Sequence, residues 1–344
     1  MKRKNDFFQG TGGAILIIVL LIAVALWAAF NLLRTGDDRV QQRVSVIVED
    51  SNNERWTAFR TGLDQAATEY GVDVTFVSST GFSNAEEQKN LIAQEAASGT
   101  DALIISLYDS EETDIAPGTM KLVYVETDGI RDNSAGTAAV IPSGYKMGKA
   151  LGEMMLADSG LAASEEGNGG IAPVSGGHAP SVAILTGNLR RYSQKEMLQA
   201  LTETIEAAGG TVLILETEGK DLSVAMEKAE SCDFIAVLED TLLVQVASQT
   251  EQTAAQADAE DSGGVRLYGI GCGPSNISYL DRGVISGMVV PNEFSMGYQS
   301  LSQLSQCLSN DIPDMKDVEV GFTSVRSDEV HTKANEKLLF LPIR

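Results

Sequence analysis

The chain has 344 residues, room for two domains of ordinary size, and its 43% hydrophobic content is that of a folded protein. Its formal net charge is −23, yet residues 1–34 carry Lys2, Arg3, Lys4 and Arg34 against Asp6, so the acidity lies in residues 35–344. A body of that sign repels phosphate backbones, which disfavours nucleic acid as a partner.

The first element is an uncharged stretch, Gly12–Leu33. As a helix its 22 residues reach about 33 Å, enough for a bilayer core of roughly 30 Å. A cytoplasmic tail (1–11) with Lys2-Arg3-Lys4 precedes it, so the segment is expected to be an uncleaved single-pass anchor with the remainder exported. A cleaved signal peptide is the rival reading, but Arg-Thr-Gly-Asp-Asp-Arg after Leu33 makes a poor cleavage site. A polar linker (34–43) comes next.

Strands and helices then alternate. Val44–Val48 reads as a strand, Arg55–Tyr70 as a helix ending near Gly71, and Val72–Ser78 as a strand. Asn84–Ser98 is an amphipathic helix with an Asn cap; Ala102–Leu107 and Lys121–Val125 are strands; a helix begins at Pro142 and runs to Leu156. Residues 158–180 are Gly-, Ser- and Ala-rich and read as a loop. The pattern restarts with strands Val182–Leu185, Thr211–Leu215, Phe234–Leu238, Val265–Ile270 and Ile285–Val290. Helices Ser193–Ala208, Leu222–Ala229 and Asp240–Thr250 lie among them, with a polar insert at 251–264. Helix Ser295–Ser309 and an alternating tail, Val318–Val325, complete the chain. The expected fold class is α/β, two doubly wound parallel-sheet lobes with an N-terminal transmembrane helix. Lobe 1 takes 44–141 plus 291–311, and lobe 2 takes 142–290 plus 318–344.

Catalytic signatures are missing from the sequence. Cys232, Cys272 and Cys307 lack metal-ligand spacing, and His178 and His331 have no partner motif. Gly269-Ile-Gly271-Cys-Gly273 lacks dinucleotide-loop spacing and reads as a plain turn. No GxSxG elbow or HExxH occurs. No cofactor and no enzymatic activity are expected. Candidate ligand contacts lie where strands end and helices begin. Asn53, Arg55 and Trp56 follow the first strand, Glu126 and Asp128 the fourth, and Glu239 and Asp240 a strand of the second half. Arg190-Arg191 and Lys195 form a basic spot in the acidic body, with Arg191 and Lys195 the candidate contacts. Trp56 either stacks on a ligand ring or packs in the core with Phe59.

The segments SNNERW with TAFRTGLDQAATEYG, NAEEQKNLIAQEAASGTDALIIS, YKMGKALGEMM and PNEFSMGYQSLSQL resemble, in order and spacing, the type I periplasmic binding proteins. That family includes the ribose- and galactose-binding proteins and the core of LacI-type repressors. The resemblance implies a ligand enclosed between two lobes by hinge closure, with chain crossings near Ile141–Ser143, Val290–Asn292 and Asp311–Asp317. It matches Asn53, Trp56, Glu126 or Asp128, Lys195, and Glu239 or Asp240 to ligand-contact positions, with Arg55 in place of a frequent aromatic. Gly271 and Pro291 stand where sugar binders usually carry an aspartate and a glutamine. The repressor branch has a DNA-binding element where this chain has its apolar segment. The expected function is therefore capture of a small polar, sugar-like ligand for an ABC-type membrane permease. The alternatives are a ligand-sensing partner of a membrane histidine kinase, or a structural protein with a degenerate cleft.

Overall fold

The computed structural model describes residues 19–25, 27, 42–77, 82, 84–111, 120–127, 136–163, 171–173, 178–218, 220–256, 265–312 and 314–340. Two compact units are present, 1–41 and 42–344. In the first, residues 19–25 and 27 are helical and exposed. Among the described residues no helix is long and apolar enough to cross a membrane; most of the 12–33 segment lies outside them.

The second unit holds two six-stranded sheets. The first contains β1 (Arg43–Ile47), β2 (Asp73–Phe76), β3 (Ala102–Ile105), β4 (Lys121–Val125), β5 (Thr137–Pro142) and β13 (Val318–Val320). Its order is β13-β5-β4-β3-β1-β2, with every pair parallel. The second sheet runs β14-β12-β11-β10-β8-β9. Its strands are β8 (Ser181–Thr186), β9 (Thr211–Glu216), β10 (Phe234–Val237), β11 (Arg266–Ile270), β12 (Ile285–Pro291) and β14 (Phe322–Arg326). Only β14 pairs antiparallel there, to β12. Central strands such as Ala102–Ile105 and Phe234–Val237 are buried along their whole length, as a sheet covered on both faces requires.

Each sheet sits between two helical layers. Val46 and Val48 face α1 (Thr57–Tyr70) and α8 (Glu293–Leu308) through Phe59, Leu63, Met296 and Leu301. On the opposite face, Ile47 and Leu103 meet Ile92 of α2 (Ala85–Ala97). In the second lobe, Ile184 and Ala236 pack on α3 (Gly144–Asp158) and α4 (Tyr192–Ala207). Leu185 and Val237 face α5 (Leu222–Ala229), α6 (Asp240–Gln256) and α7 (Pro274–Asp281).

Several elements differ from the sequence reading. Pro142 ends strand β5 instead of opening a helix; α3 begins two residues later, with the Ser143 hydroxyl accepting the Lys146 N–H. Within the 158–180 segment, β6 (Leu161–Ala163) and β7 (Ile171–Pro173) form an antiparallel hairpin. The polar insert begins inside α6, and residues 257–264 lie outside the described set. Helix α7 had no periodic signal of its own, being only eight residues long. The tail, assigned as a block to the second lobe, divides at Gly321: β13 joins the first sheet and β14 the second. After it, α9 (Lys333–Leu339) contributes Leu339 to the second core.

The chain thus crosses between lobes after β5, after β12 and at Gly321. The last two crossings are joined, because the Asn292 N–H donates to Gly321 O at 2.9 Å.

Two helix pairs flank these crossings at very short range. A Cβ on Gly297 of α8 would lie 2.2 Å from Phe59 O of α1, and one on Gly148 of α3 would lie 2.2 Å from Met197 O of α4. Glycine is required there because the neighbour is backbone and cannot rotate aside. Gly148→Val is therefore expected to destabilise the fold by at least about 1–3 kcal/mol, read as a lower urea midpoint. An unchanged midpoint would show that the helices can separate at little cost.

Candidate ligand-binding cleft

In each sheet the strand order reverses beside the first strand of its lobe, β1 and β8, and the loops at the carboxyl ends of both sheets meet. Such switch points are where open α/β sheets bind ligands. After β1 the chain turns through Asp50, whose φ of 44° is left-handed. Asn53 then caps a short 3-10 turn, its Oδ1 accepting the Arg55 N–H at 3.0 Å. The turn sends Arg55 toward the second lobe and Trp56 into the core.

Arg55 is the centre of a charge cluster. Its Nη2 donates to Glu126 Oε1 and lies 3.6 Å from Glu293 Oε1, and its guanidinium sits 4.1 Å from the Trp56 ring centroid. Glu126, just past β4, has a left-handed φ of 62°, a conformation that costs a non-glycine residue about 1–2 kcal/mol. Its other oxygen accepts from Ser106 Oγ. Two carboxylate contacts therefore hold a strained backbone in place.

The second lobe supplies the facing wall. Arg191, the cap position of α4, donates across the cleft to Glu49. Asp240 Oδ2 accepts the N–H groups of Cys272 at 2.6 Å and Gly273 at 2.8 Å, which fixes the turn after β11. Gln194 Nε2 donates to Leu238 O at 2.9 Å. A cavity of about 70 Å³ remains among Arg55, Glu126, Arg191, Gln194, Glu239, Asp240, Cys272 and Glu293. Met147, Met197, Ile270, Pro142 and Pro291 complete its lining, the prolines coming from two of the crossings. That volume holds a few waters.

Around the cavity the lobes are hydrogen-bonded to each other, so this is a closed form. Asn188 Nδ2 donates to Tyr108 O at 2.7 Å, Ser110 N–H to Arg190 O at 3.1 Å, and Ser193 N–H to Thr127 Oγ1 at 3.2 Å. On the other flank Asn53 Nδ2 reaches Thr241 Oγ1 at 3.4 Å, and the Ser275 N–H donates to Glu54 at 3.1 Å.

Burial sets the protonation of this cluster. It opposes ionisation of Glu126, but Arg55 and Arg191, with hydrogen bonds from Arg55 and Ser106, hold that carboxyl below the usual range. Glu293 is only 3% exposed. Burial pushes its carboxyl up to about 8 despite Arg55, with Glu126 and Asp240 adding to the shift. Burial also raises Glu239, against the pull of Arg191. The Cys272 thiol is pushed well up by burial and by Glu293 and Asp240, so it is no nucleophile. Among the described residues no group of three or more potential metal ligands is assembled.

Of the residues expected from sequence, Arg55, Glu126, Arg191, Glu239 and Asp240 line the cavity. Asn53 acts beside it, as a cap and a cross-lobe contact. Trp56 is fully buried, with its ring against Phe59 and its Nε1–H directed at Glu49 O; it is a core residue that supports Arg55 from below. Lys195 is at the rim, 3.0 Å from Glu111. Asp128 lies outside the described residues. The sequence reading missed Glu293, Gln194 and Cys272. Glu293 had one usable signal: a carboxylate two residues past a strand-ending proline at an expected crossing.

A model of the periplasmic binding protein domain matches residues 44–311. Comparison with curated proteins gave no match. Among solved structures, GanP, a glucose-galactose binding protein from Geobacillus stearothermophilus, is 19% identical with a TM-score of 0.67, covering 86% of this chain and 100% of that one. A carbohydrate transporter solute binding protein from Agrobacterium radiobacter, in complex with D-arabinose, is 13% identical with a TM-score of 0.70, covering 88% and 100%. The XylFII–LytSN complex contributes a chain 14% identical with a TM-score of 0.65, covering 85% and 100%. At these identities the likeness establishes the fold.

The raised carboxyl of Glu293 has a consequence for stability. Between the ordinary glutamate range and about 8, the folded protein holds a proton that the unfolded chain releases, so this group's contribution to stability falls as pH rises through that window. Glu293→Gln removes the titration. Urea unfolding at stepped pH is expected to show wild-type stability declining relative to Glu293→Gln across that range; parallel profiles would contradict the buried carboxyl.

Proposed function

We propose that this chain, which belongs to the periplasmic binding protein domain family, captures a small, sugar-like polar ligand between its lobes outside the cell membrane and delivers it to an ABC-type permease. The family is one of binding proteins rather than enzymes. The observation that carries the reading is the cavity where both sheets end. Buried polar atoms on its walls have no hydrogen-bond partner: Arg55 Nε, Arg191 Nε, Gln194 Oε1 and Glu293 Oε2. Each such atom costs about 1–3 kcal/mol if left unpaired. A polyhydroxylated ligand offers both donors and acceptors to such a set, while Met147, Met197 and Ile270 offer surface to its C–H faces. Binding of glucose, galactose or D-arabinose by proteins of the same fold supports the same class.

In this reading Arg55, Glu126, Arg191, Glu239 and Asp240 contact ligand, Asn53 and Trp56 set the position of Arg55, and Lys195 belongs to the cleft edge. The lobes hinge at the three crossings. Residues 12–33 anchor the protein, supported by their length, their lack of charge and the basic residues before them. A second reading, a ligand sensor that docks on a membrane histidine kinase, draws on the neighbour solved as the XylFII–LytSN complex.

Thermal unfolding of the full chain against a panel of neutral, amino and acidic monosaccharides tests the proposal. At least one is expected to raise the midpoint saturably, by about 2.7 kcal/mol of added stability at a hundred times its Kd, and Arg191→Ala is expected to weaken that response. A panel without any saturable shift contradicts capture of a monosaccharide.

A further inference from the structure

The cleft holds more carboxyl groups than guanidiniums. Four carboxylates, Glu126, Glu239, Asp240 and Glu293, line the cavity against two guanidiniums, Arg55 and Arg191. Both guanidiniums are already engaged, Arg55 with Glu126 and Arg191 with Glu49. Asp240 is committed to the N–H groups of Cys272 and Gly273. Two carboxyl groups then lack a hydrogen-bonded cation, one from each lobe. Glu293, at the first position of α8, is buried with Oε2 lacking any partner, and its other oxygen is 3.6 Å from Arg55. Glu239, just past β10, has no hydrogen bond to its carboxylate among the described residues, and its Oε2 is pressed so close to Gly187 that a Cβ there would lie 1.6 Å away.

Burial keeps a proton on Glu293, and a neutral ligand leaves it there. An anionic ligand would bring a further negative charge among these carboxyls, since neither guanidinium is spare. A primary ammonium lets Glu293 give up that proton, because it supplies the positive charge that two ionised carboxylates need and three N–H donors to meet them. The unpartnered Nε–H groups of Arg55 and Arg191 call for acceptors in the same ligand, which ring or chain hydroxyls provide. The whole chain's net charge of −23 draws cations toward the cleft as well. We infer that the ligand carries a protonated amine on a polyhydroxylated frame, an amino sugar or amino polyol, with its ammonium held between Glu293 and Glu239 as the lobes close. The inference rests on the proposed capture of a sugar-like ligand and narrows its chemical class.

Matched pairs test it. Isothermal titration of the full chain at about pH 7, where sugar amines are largely protonated, compares glucose with 2-amino-2-deoxyglucose and galactose with 2-amino-2-deoxygalactose, with glucuronic and galacturonic acids as the anionic arm. In at least one series the amine is expected to bind at least ten-fold more tightly than its neutral parent, and the acids weakest. Glu239→Gln with Glu293→Gln is expected to weaken the amine at least ten-fold more than it weakens the neutral parent; the wild-type comparison stands even if this variant folds poorly. A neutral parent that binds as tightly as its amine overturns this inference and leaves the sugar reading intact, as does tightest binding by an acid. Binding by none of the six overturns both.

Discussion

The burial of Arg55 constrains the rest of the cleft. A guanidinium withdrawn from water is tolerable only with opposite charge in contact. Here Glu126 takes a strained left-handed backbone to meet it, Glu293 stands at its other side, and the Trp56 ring lies beneath it. The same guanidinium keeps Glu126 ionised but does not overcome the burial of Glu293. One side chain therefore organises two carboxylates into opposite protonation tendencies within a single cavity, as sites built to discriminate ligands commonly do.

The fold is arranged so that this cluster can open. Lobe 1 carries Arg55, Glu126 and Glu49 on loops after β1 and β4, and lobe 2 carries Arg191, Glu239 and Asp240 after β8 and β10. Among the described residues the chain links them at three crossings, and these lie close together. Pro142 pairs with Val320, Pro291 with Phe322, and Asn292 bonds to Gly321. Across this strip Lys146 meets Glu319 at 2.6 Å, an exposed pair worth little in energy. On either side of this strip the helix pairs are closely packed, with Gly297 and Gly148 setting their separation. In the proposed capture, motion is expected at this strip rather than within the lobes.

The parallel sheets were legible in the sequence because their central strands are apolar throughout, and the helices between them because their buried positions recur at helical spacing. Strand β5 was not, since Thr137–Pro142 ends on a proline that equally well marks a helix start. The site was legible where it depends on local chain: Arg55, Glu126 and Asp240 all stand within a turn or so of a strand end. It was not where burial depends on distant chain. Glu293 is enclosed only because α8 returns against α1, and no local pattern reports that. Trp56 shows the converse, since its position in sequence said that it lies at the junction but not whether its ring points to ligand or to core.

The proposed capture requires that ligand enter an open cleft and be enclosed by closure of these lobes. Asn53 and Thr241 face each other across it, 3.4 Å apart at their polar atoms, so Asn53→Cys with Thr241→Cys in a Cys232→Ser background is used to lock the lobes, the disulfide being verified by thiol titration before binding is measured. Oxidised, the full chain is expected to lose uptake of whichever monosaccharide the wild type binds, and to regain it on reduction. Uptake by the oxidised protein at the wild-type rate would contradict the account, because it would mean that the ligand site is reached without separating the lobes.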